Sequence, residues 1–211
     1  MMGKLNLFDC DRKTLESYFA DIGEKSFRAH QLLKWIYQHG VINIESMSNL
    51  SNDLRAYLKE NTSVKLPEII TEKKSKDGTK KWLIKVDEKN SIETVFIPEN
   101  DRGTLCISTQ VGCALDCKFC STAQQGFSRN LTTSEIIGQV WVANKILGHF
   151  ENGKRMITNI VFMGMGEPLL NYDNVLKAIN LMLDDRAFGL SRRRITVSTS
   201  GIIPGIDRLK E

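Results

Sequence analysis

The chain predicts an α/β fold with a helical segment and β-hairpins in front of it, on three changes of pattern. Apolar residues recur at helical spacing up to about residue 62, the period falls to two between residues 68 and 97, and from residue 104 strand-like and helix-like stretches alternate. The expected organisation is a small helical domain (1–65), a β-hairpin extension (66–100) and a strand–helix core (101–211).

The helical segment is clearest in Ser26-Phe-Arg-Ala-His-Gln-Leu-Leu-Lys-Trp-Ile-Tyr-Gln-His39. Phe27, Leu32, Leu33, Trp35 and Ile36 alternate there with Arg28, His30 and Lys34, Ser26 is placed to cap the start, and Gly40 to stop the helix. A second helix, Leu50 to Asn61, follows Ser51. The aromatics Trp35 and Tyr37 are expected in the core of this domain.

Beyond Pro67, residues 68–73, 80–86 and 91–97 are strand-like, with Asp77-Gly78 and Lys89-Asn90 at the connections, as in consecutive hairpins. Lys73, Lys74, Lys76, Lys80 and Lys81 crowd the first turn. They read equally as a solvated loop or as a source of phosphate attraction.

The core order is strand 104–109, helix 132–147, strand 157–163, helix 171–183 and strand 194–198. Parallel strands joined by helical crossovers follow from it, with functional residues at the strands' C-terminal ends. Thr132-Thr-Ser-Glu135 opens the first helix as a capping box.

Composition bounds the function loosely. The chain has 211 residues, 41% hydrophobic and 26% charged, with a formal net charge of +4. That permits an RNA partner without requiring one. No stretch has the apolar length of a signal peptide or a bilayer span, so no membrane partner is expected. Five cysteines in an odd, clustered pattern suit a reducing compartment, and a cytoplasmic protein is expected.

Chemistry concentrates in Cys113-Ala-Leu-Asp-Cys117-Lys-Phe-Cys120. Three thiolates fall within eight residues, and the next histidine, His149, lies far beyond. Structural zinc takes four protein ligands, usually in two pairs. Three cysteines instead leave one corner of an iron–sulfur cube open, so Cys113, Cys117 and Cys120 are expected to ligate a [4Fe–4S] cluster. The second strand ends in Phe162-Met-Gly-Met-Gly-Glu-Pro-Leu-Leu-Asn171, where paired glycines allow a ligand close to the backbone. Thr196-Val-Ser-Thr-Ser-Gly201 places hydroxyls at the end of the third. On pattern alone Cys106 is a small strand thiol and Glu93 a solvent-facing residue of an edge strand.

The spacing Cys-x3-Cys-x-aromatic-Cys, with Phe119 as the aromatic, resembles the radical S-adenosylmethionine (SAM) enzymes. The longer string Gln110 to Asn130, through Cys120-Ser-Thr-Ala-Gln-Gln-Gly-Phe127, resembles the RlmN family, which methylates C2 of adenine in 23S ribosomal RNA and in transfer RNA. The segment Phe-Arg-Ala-x-Gln-Leu-Leu-x-Trp-Ile-Tyr resembles that family's accessory domain, thought to help hold RNA. The resemblance implies a radical SAM (βα) partial barrel, a [4Fe–4S] cluster and SAM as cofactors, and two SAM per turnover through a methyl-cysteine. It implies cofactor contacts from Gly166, Glu167 and Ser198, with Glu167 at the SAM ammonium group. Glu93 would be the proton acceptor, and Cys106 the cysteine that resolves the product adduct through a disulfide. A flavodoxin or ferredoxin electron donor and a monomeric protein go with it.

One departure stands out. The family's methyl-accepting cysteine lies beyond Glu211, and Cys10 matches no catalytic position, so the barrel is expected to be truncated and this chain inactive alone. Two rivals are a sister enzyme acting at adenine C8, and a noncatalytic RNA-binding protein stapled by a metal.

Overall fold

The computed structural model describes residues 4–115 and 117–210. The helical region opens with strand β1 (Leu5–Asn6), continues through α1 (Arg12–Asp21), α2 (Phe27–Leu33) and α3 (Asn52–Asn61), and closes with β2 (Thr62–Ser63), which pairs in parallel with β1. Asp11 caps α1 by accepting from the Thr14 N–H at 3.0 Å, and Ser51 caps α3 by accepting from Leu54. Ser26 does not cap α2. Its backbone is already helical (φ −55°, ψ −31°), whereas a capping side chain needs an extended backbone to fold back on the first turn. Helix α2 runs on as a π-helical turn, Lys34–Gln38, before Gly40 (φ +65°) ends it. Tyr37 is buried there as expected. Trp35 is only partly buried, its indole N–H donating to Asn49 Oδ1 at 2.6 Å.

The hairpin strands β3 (Glu68–Lys74), β4 (Lys80–Lys85) and β5 (Ser91–Pro98) lie where the period of two puts them. After them come β6 (Gly103–Cys106), β7 (Gln110–Gly112), the short α4 (Ser121–Gln124), β8 (Phe127–Asn130), α5 (Thr133–Ile146), α6 (His149–Asn152), β9 (Asn159–Phe162), α7 (Tyr172–Leu183), β10 (Ile195–Val197) and α8 (Ile203–Arg208). Six strands form one sheet in the order β10-β9-β6-β5-β4-β3. The β6, β9 and β10 strands are parallel and spatially sequential, the winding of a βα barrel, while β5, β4 and β3 continue the sheet antiparallel. Hydrogen bonding therefore runs unbroken from the hairpins into the core. This puts β5 inside the sheet, between β4 and β6, so Glu93 does not lie on an edge strand.

Strand parity sorts the two faces. Thr94 donates to Gln139 of α5 at 2.7 Å, so Ile92, Thr94 and Phe96, with Trp82, Ile84, Leu105, Ile160 and Phe162, face the helices and are buried. The opposite face carries Glu93, Val95, Cys106, Val161 and Thr196, and none of these is fully buried. Register aligns them: Val95 opposes Cys106, which opposes Val161, which opposes Thr196.

The helical region shares its core with the sheet's helices. Phe8 packs edge-on to Tyr37 and Trp141, Tyr37 meets Phe188 at 5.1 Å, and the Trp141 indole donates to the Ile36 carbonyl at 2.8 Å. Asp9 accepts from Ser134 N–H at the start of α5, and Arg12 pairs with Asp184 and Asp185.

Candidate functional site

The loop carrying the three cysteines is held in a frame that local pattern did not announce. Antiparallel β7 and β8 bring the ends of the motif together, with Gln110 opposite Asn130 and the Gln110 amide donating to Asn130 Oδ1 at 2.8 Å. Gly112 has φ +72°, and a Cβ there would meet the Gly126 carbonyl, so the ribbon closes only on glycine. Inside it, Cys113 N–H donates to Gly126 and Cys120 N–H to Cys117.

Cys113, Cys117 and Cys120 line a single cavity of about 410 Å³ together with Gly166, Glu167 and Ser198. Its volume falls within the range that suits a small-molecule cofactor. Cys120 sits at the start of α4, and backbone hydrogen bonds from Ala123 and Thr122 draw its thiol below the ordinary range, favouring a ligating thiolate. Among the described residues no three His, Cys, Asp or Glu side chains converge as on a single metal ion. A [4Fe–4S] cube takes one thiolate at each of three corners, and the three thiols line one cavity.

The loop after β9 forms the opposite wall. Gly166 has φ +93°, and a Cβ on it would lie 2.4 Å from Gln110 Cβ; a Cβ on Gly164 would lie 2.7 Å from the Ile107 carbonyl oxygen. Both glycines are thus demanded by the chain running from β6 to β7, before any ligand is considered. The carboxylate of Glu167 is buried and engaged: Oε1 accepts from Leu169 N–H at 3.0 Å, and Oε2 from the N–H and hydroxyl of Ser200 at 2.9 and 2.8 Å. A carboxylate oxygen offers about two lone-pair sites, so Oε1 keeps one acceptor position for a ligand. Ser198 is exposed at the cavity rim.

Cys106 and Glu93 do not line this cavity; they stand on the open sheet face beside it. Val95 opposes Cys106, so Glu93, two residues earlier, is its diagonal neighbour, a spacing of about 7–8 Å. Glu93 pairs with Lys81 Nζ at 2.6 Å. Burial pushes the Cys106 thiol up, and a Met163 backbone hydrogen bond offsets part of that. All five cysteines are free, so the disulfide implied for Cys106 has no partner among the described residues.

Four polar residues tie these parts together and went unread in the sequence. Gln139 accepts from Thr94 and from Ser108 N–H and donates to the Ser108 carbonyl; Ser108 Oγ in turn donates to the Glu93 carbonyl and accepts from Met165 N–H. Gln110 accepts from Glu167 N–H, and Asn171 donates to the carbonyls of Thr109 and Leu131. The one available signal was Gln139 itself, a polar residue inside the apolar run Ile136, Ile137, Val140, Trp141.

Residues 107–211 match the radical SAM superfamily, and residues 5–64 match the ribosomal RNA large subunit methyltransferase N-terminal domain. Over 208 residues, 99% of this chain, the sequence is 53% identical to a dual-specificity RNA methyltransferase RlmN from Marinobacter nauticus. The chain belongs to the RlmN family. It spans 56% of that relative's length. The fold is similar to a radical SAM methyltransferase from Sphaerobacter thermophilus, with a TM-score of 0.85 at 37% identity, covering 97% of this chain and 60% of that one. The RlmN family uses a [4Fe–4S] cluster and SAM, and the cavity fits both: three thiols on one wall, with a buried carboxylate, glycine backbone and hydroxyls on the other.

Proposed function

We propose that this chain carries the cluster- and cofactor-binding part of an enzyme that methylates C2 of adenine in 23S ribosomal RNA and transfer RNA, fed by an electron donor such as flavodoxin or ferredoxin. The supporting observation is the meeting of Cys113, Cys117 and Cys120 with Gly166, Glu167 and Ser198 on one cavity beside a sheet face that carries Cys106 and Glu93. The three cysteines would hold three corners of the cluster. The loop from Gly164 to Pro168 and Ser198 would seat the amino acid end of SAM. Bound together there, the two groups supply one-electron chemistry able to generate a carbon radical.

Glu93 would take the C2 proton from an adenine laid on the open face, a reading supported by its position on that face and by the Lys81 ion pair, which fixes the carboxylate's direction. Cys106, whose thiol burial keeps protonated, would have to lose that proton before its sulfur bonds to the sulfur of the methyl-carrying cysteine, the sulfur–carbon bond to the product breaking as the disulfide forms. The methyl-carrying cysteine has no candidate in this chain: three cysteines face the cavity, Cys106 has its own role, and Cys10 is buried in the helical region. The isolated chain is therefore expected to assemble the cluster without turning over.

The test is anaerobic reconstitution with iron and sulfide. A brown protein whose reduced-cluster paramagnetic resonance signal changes on adding SAM supports the reading; stoichiometric zinc without iron overturns it. In the complete enzyme, Glu93→Gln should lower C2-methyladenosine in digested RNA by about 10²–10⁴-fold, and a C8 product would overturn the regiochemistry.

A further inference from the structure

We propose that the tip of the β3–β4 hairpin is a docking surface for the phosphate backbone of the RNA, with Lys73, Lys74 and Lys76 as its contacts. The proposal rests on RNA being the substrate. Residues 73–81 hold five lysines against one aspartate, a formal +4 equal to the net charge of the whole 211-residue chain. Lys80 and Lys81 are answered by Glu72 and Glu93. Lys73, Lys74 and Lys76 are exposed and in no ion pair among those of the described residues.

Register sharpens this. Lys73 directly opposes Lys81, and Lys74 opposes Lys80. Like charges facing each other across a strand pair destabilise it, and the two pairs lie on opposite faces of the ribbon, so with Lys80 and Lys81 paired to Glu72 and Glu93 it is Lys73 on the open face and Lys74 on the other that are left for an anion at the tip. Lys73 shares the open sheet face with Lys81, Glu93 and Cys106, and β3 lies two strands from β5, about 10 Å away. A backbone held on Lys73 would thus reach Glu93 within a few nucleotides. The chemistry favours nucleic acid over an acidic protein: the tip has no arginine and no aromatic residue, and protein interfaces are enriched in both and depleted in lysine. Lysines as point charges suit phosphate contacts that carry no sequence information.

The test is titration of a fluorescein-labelled RNA stem–loop with the whole chain from 50 to 200 mM KCl. Replacing Lys73, Lys74 and Lys76 by Gln together should make the slope of log affinity against log salt less negative by about two to three units, with thermal stability unchanged or raised. The same charge change at Lys154, Arg192 and Arg193, which precede β9 and β10 at the same end of the sheet but three or more strands away from β4 and β3, should leave the slope as it was. An unchanged slope in the hairpin variant, or an equal change in the control, overturns the proposal. So does loss of binding to an acidic flavodoxin with RNA binding intact. Failure of the methyltransferase reading would look different: the hairpin variant would still bind RNA more weakly, but no methyladenosine would form in the complete enzyme.

Discussion

A methyl group at Gly166 would have to occupy space held by the Gln110 side chain, on a backbone at φ +93° that L side chains rarely adopt. Gly166→Ala should destabilise the fold by about 1–3 kcal/mol and weaken SAM binding to the reconstituted protein; a variant with wild-type stability by urea titration would show that the loop relaxes freely. Cys10 makes a different prediction. Burial, with Asp9 adding to it, pushes its thiol up to about 12 from an ordinary value of 9.0. On raising the pH the unfolded thiol ionises first, so the unfolded state binds fewer protons above pH 9. The contribution is fully present below pH 9 and is lost towards pH 12, on the scale of about 4 kcal/mol. Cys10→Ala should flatten the fall in stability between those pH values, and an unaltered slope would assign it to other groups. Cys113, Cys117 and Cys120 were legible at this scale because their spacing is local. The reason for Gly166 was not, because its neighbour stands 56 positions away in the chain.

Among the elements, α5 bears most on the site. Its capping box is intact, with Thr132 accepting from Glu135 N–H and the Glu135 carboxylate accepting from Thr132 N–H. Arg129 of β8 clamps that same carboxylate and Asp87 of the β4–β5 turn, joining hairpin, cysteine ribbon and helix. One turn on, Gln139 satisfies Ser108 and Thr94 in the dry layer between helix and sheet. Gln139→Leu keeps much of the volume and orphans three polar groups, at about 1–3 kcal/mol each. A fall in urea midpoint of several kcal/mol equivalent, with unchanged slope, is expected; a loss under about 1 kcal/mol would mean that water replaces the amide. The capping box and the strand and helix positions were readable from periodicity. Ser26 misled because a capping residue type carries no information on whether its own backbone has already turned helical.

At the scale of the whole molecule, the helical region and the α/β core share buried surface. Phe8, Tyr37, Trp141 and Phe188 form one aromatic cluster across the two, reinforced by the Trp141–Ile36 hydrogen bond and the Arg12–Asp184 pair. Their unfolding should be a single cooperative event, with far-ultraviolet circular dichroism and tryptophan fluorescence giving coincident urea transitions. Phe8→Ala should cost about 3–5 kcal/mol and move both probes together. Separate transitions would show that the helical region folds by itself and merely rests on the core.

The local pattern alone determined where the three hairpin strands, the three parallel strands and the helices between them run, that three thiols stand close together, and that paired glycines follow the second parallel strand; the β7–β8 ribbon it did not reveal. Each of those rests on residues within a few positions of one another, where periodicity and backbone freedom act. The tertiary structure decided what faces what. It joined the hairpins to the parallel strands in one sheet, moved Glu93 from a supposed edge to the interior strand beside Cys106, and closed the cysteine loop against Glu167 through Gln110. Such juxtapositions depend on strand register and on burying polar groups only where partners meet them, and the chain has no register until it is packed.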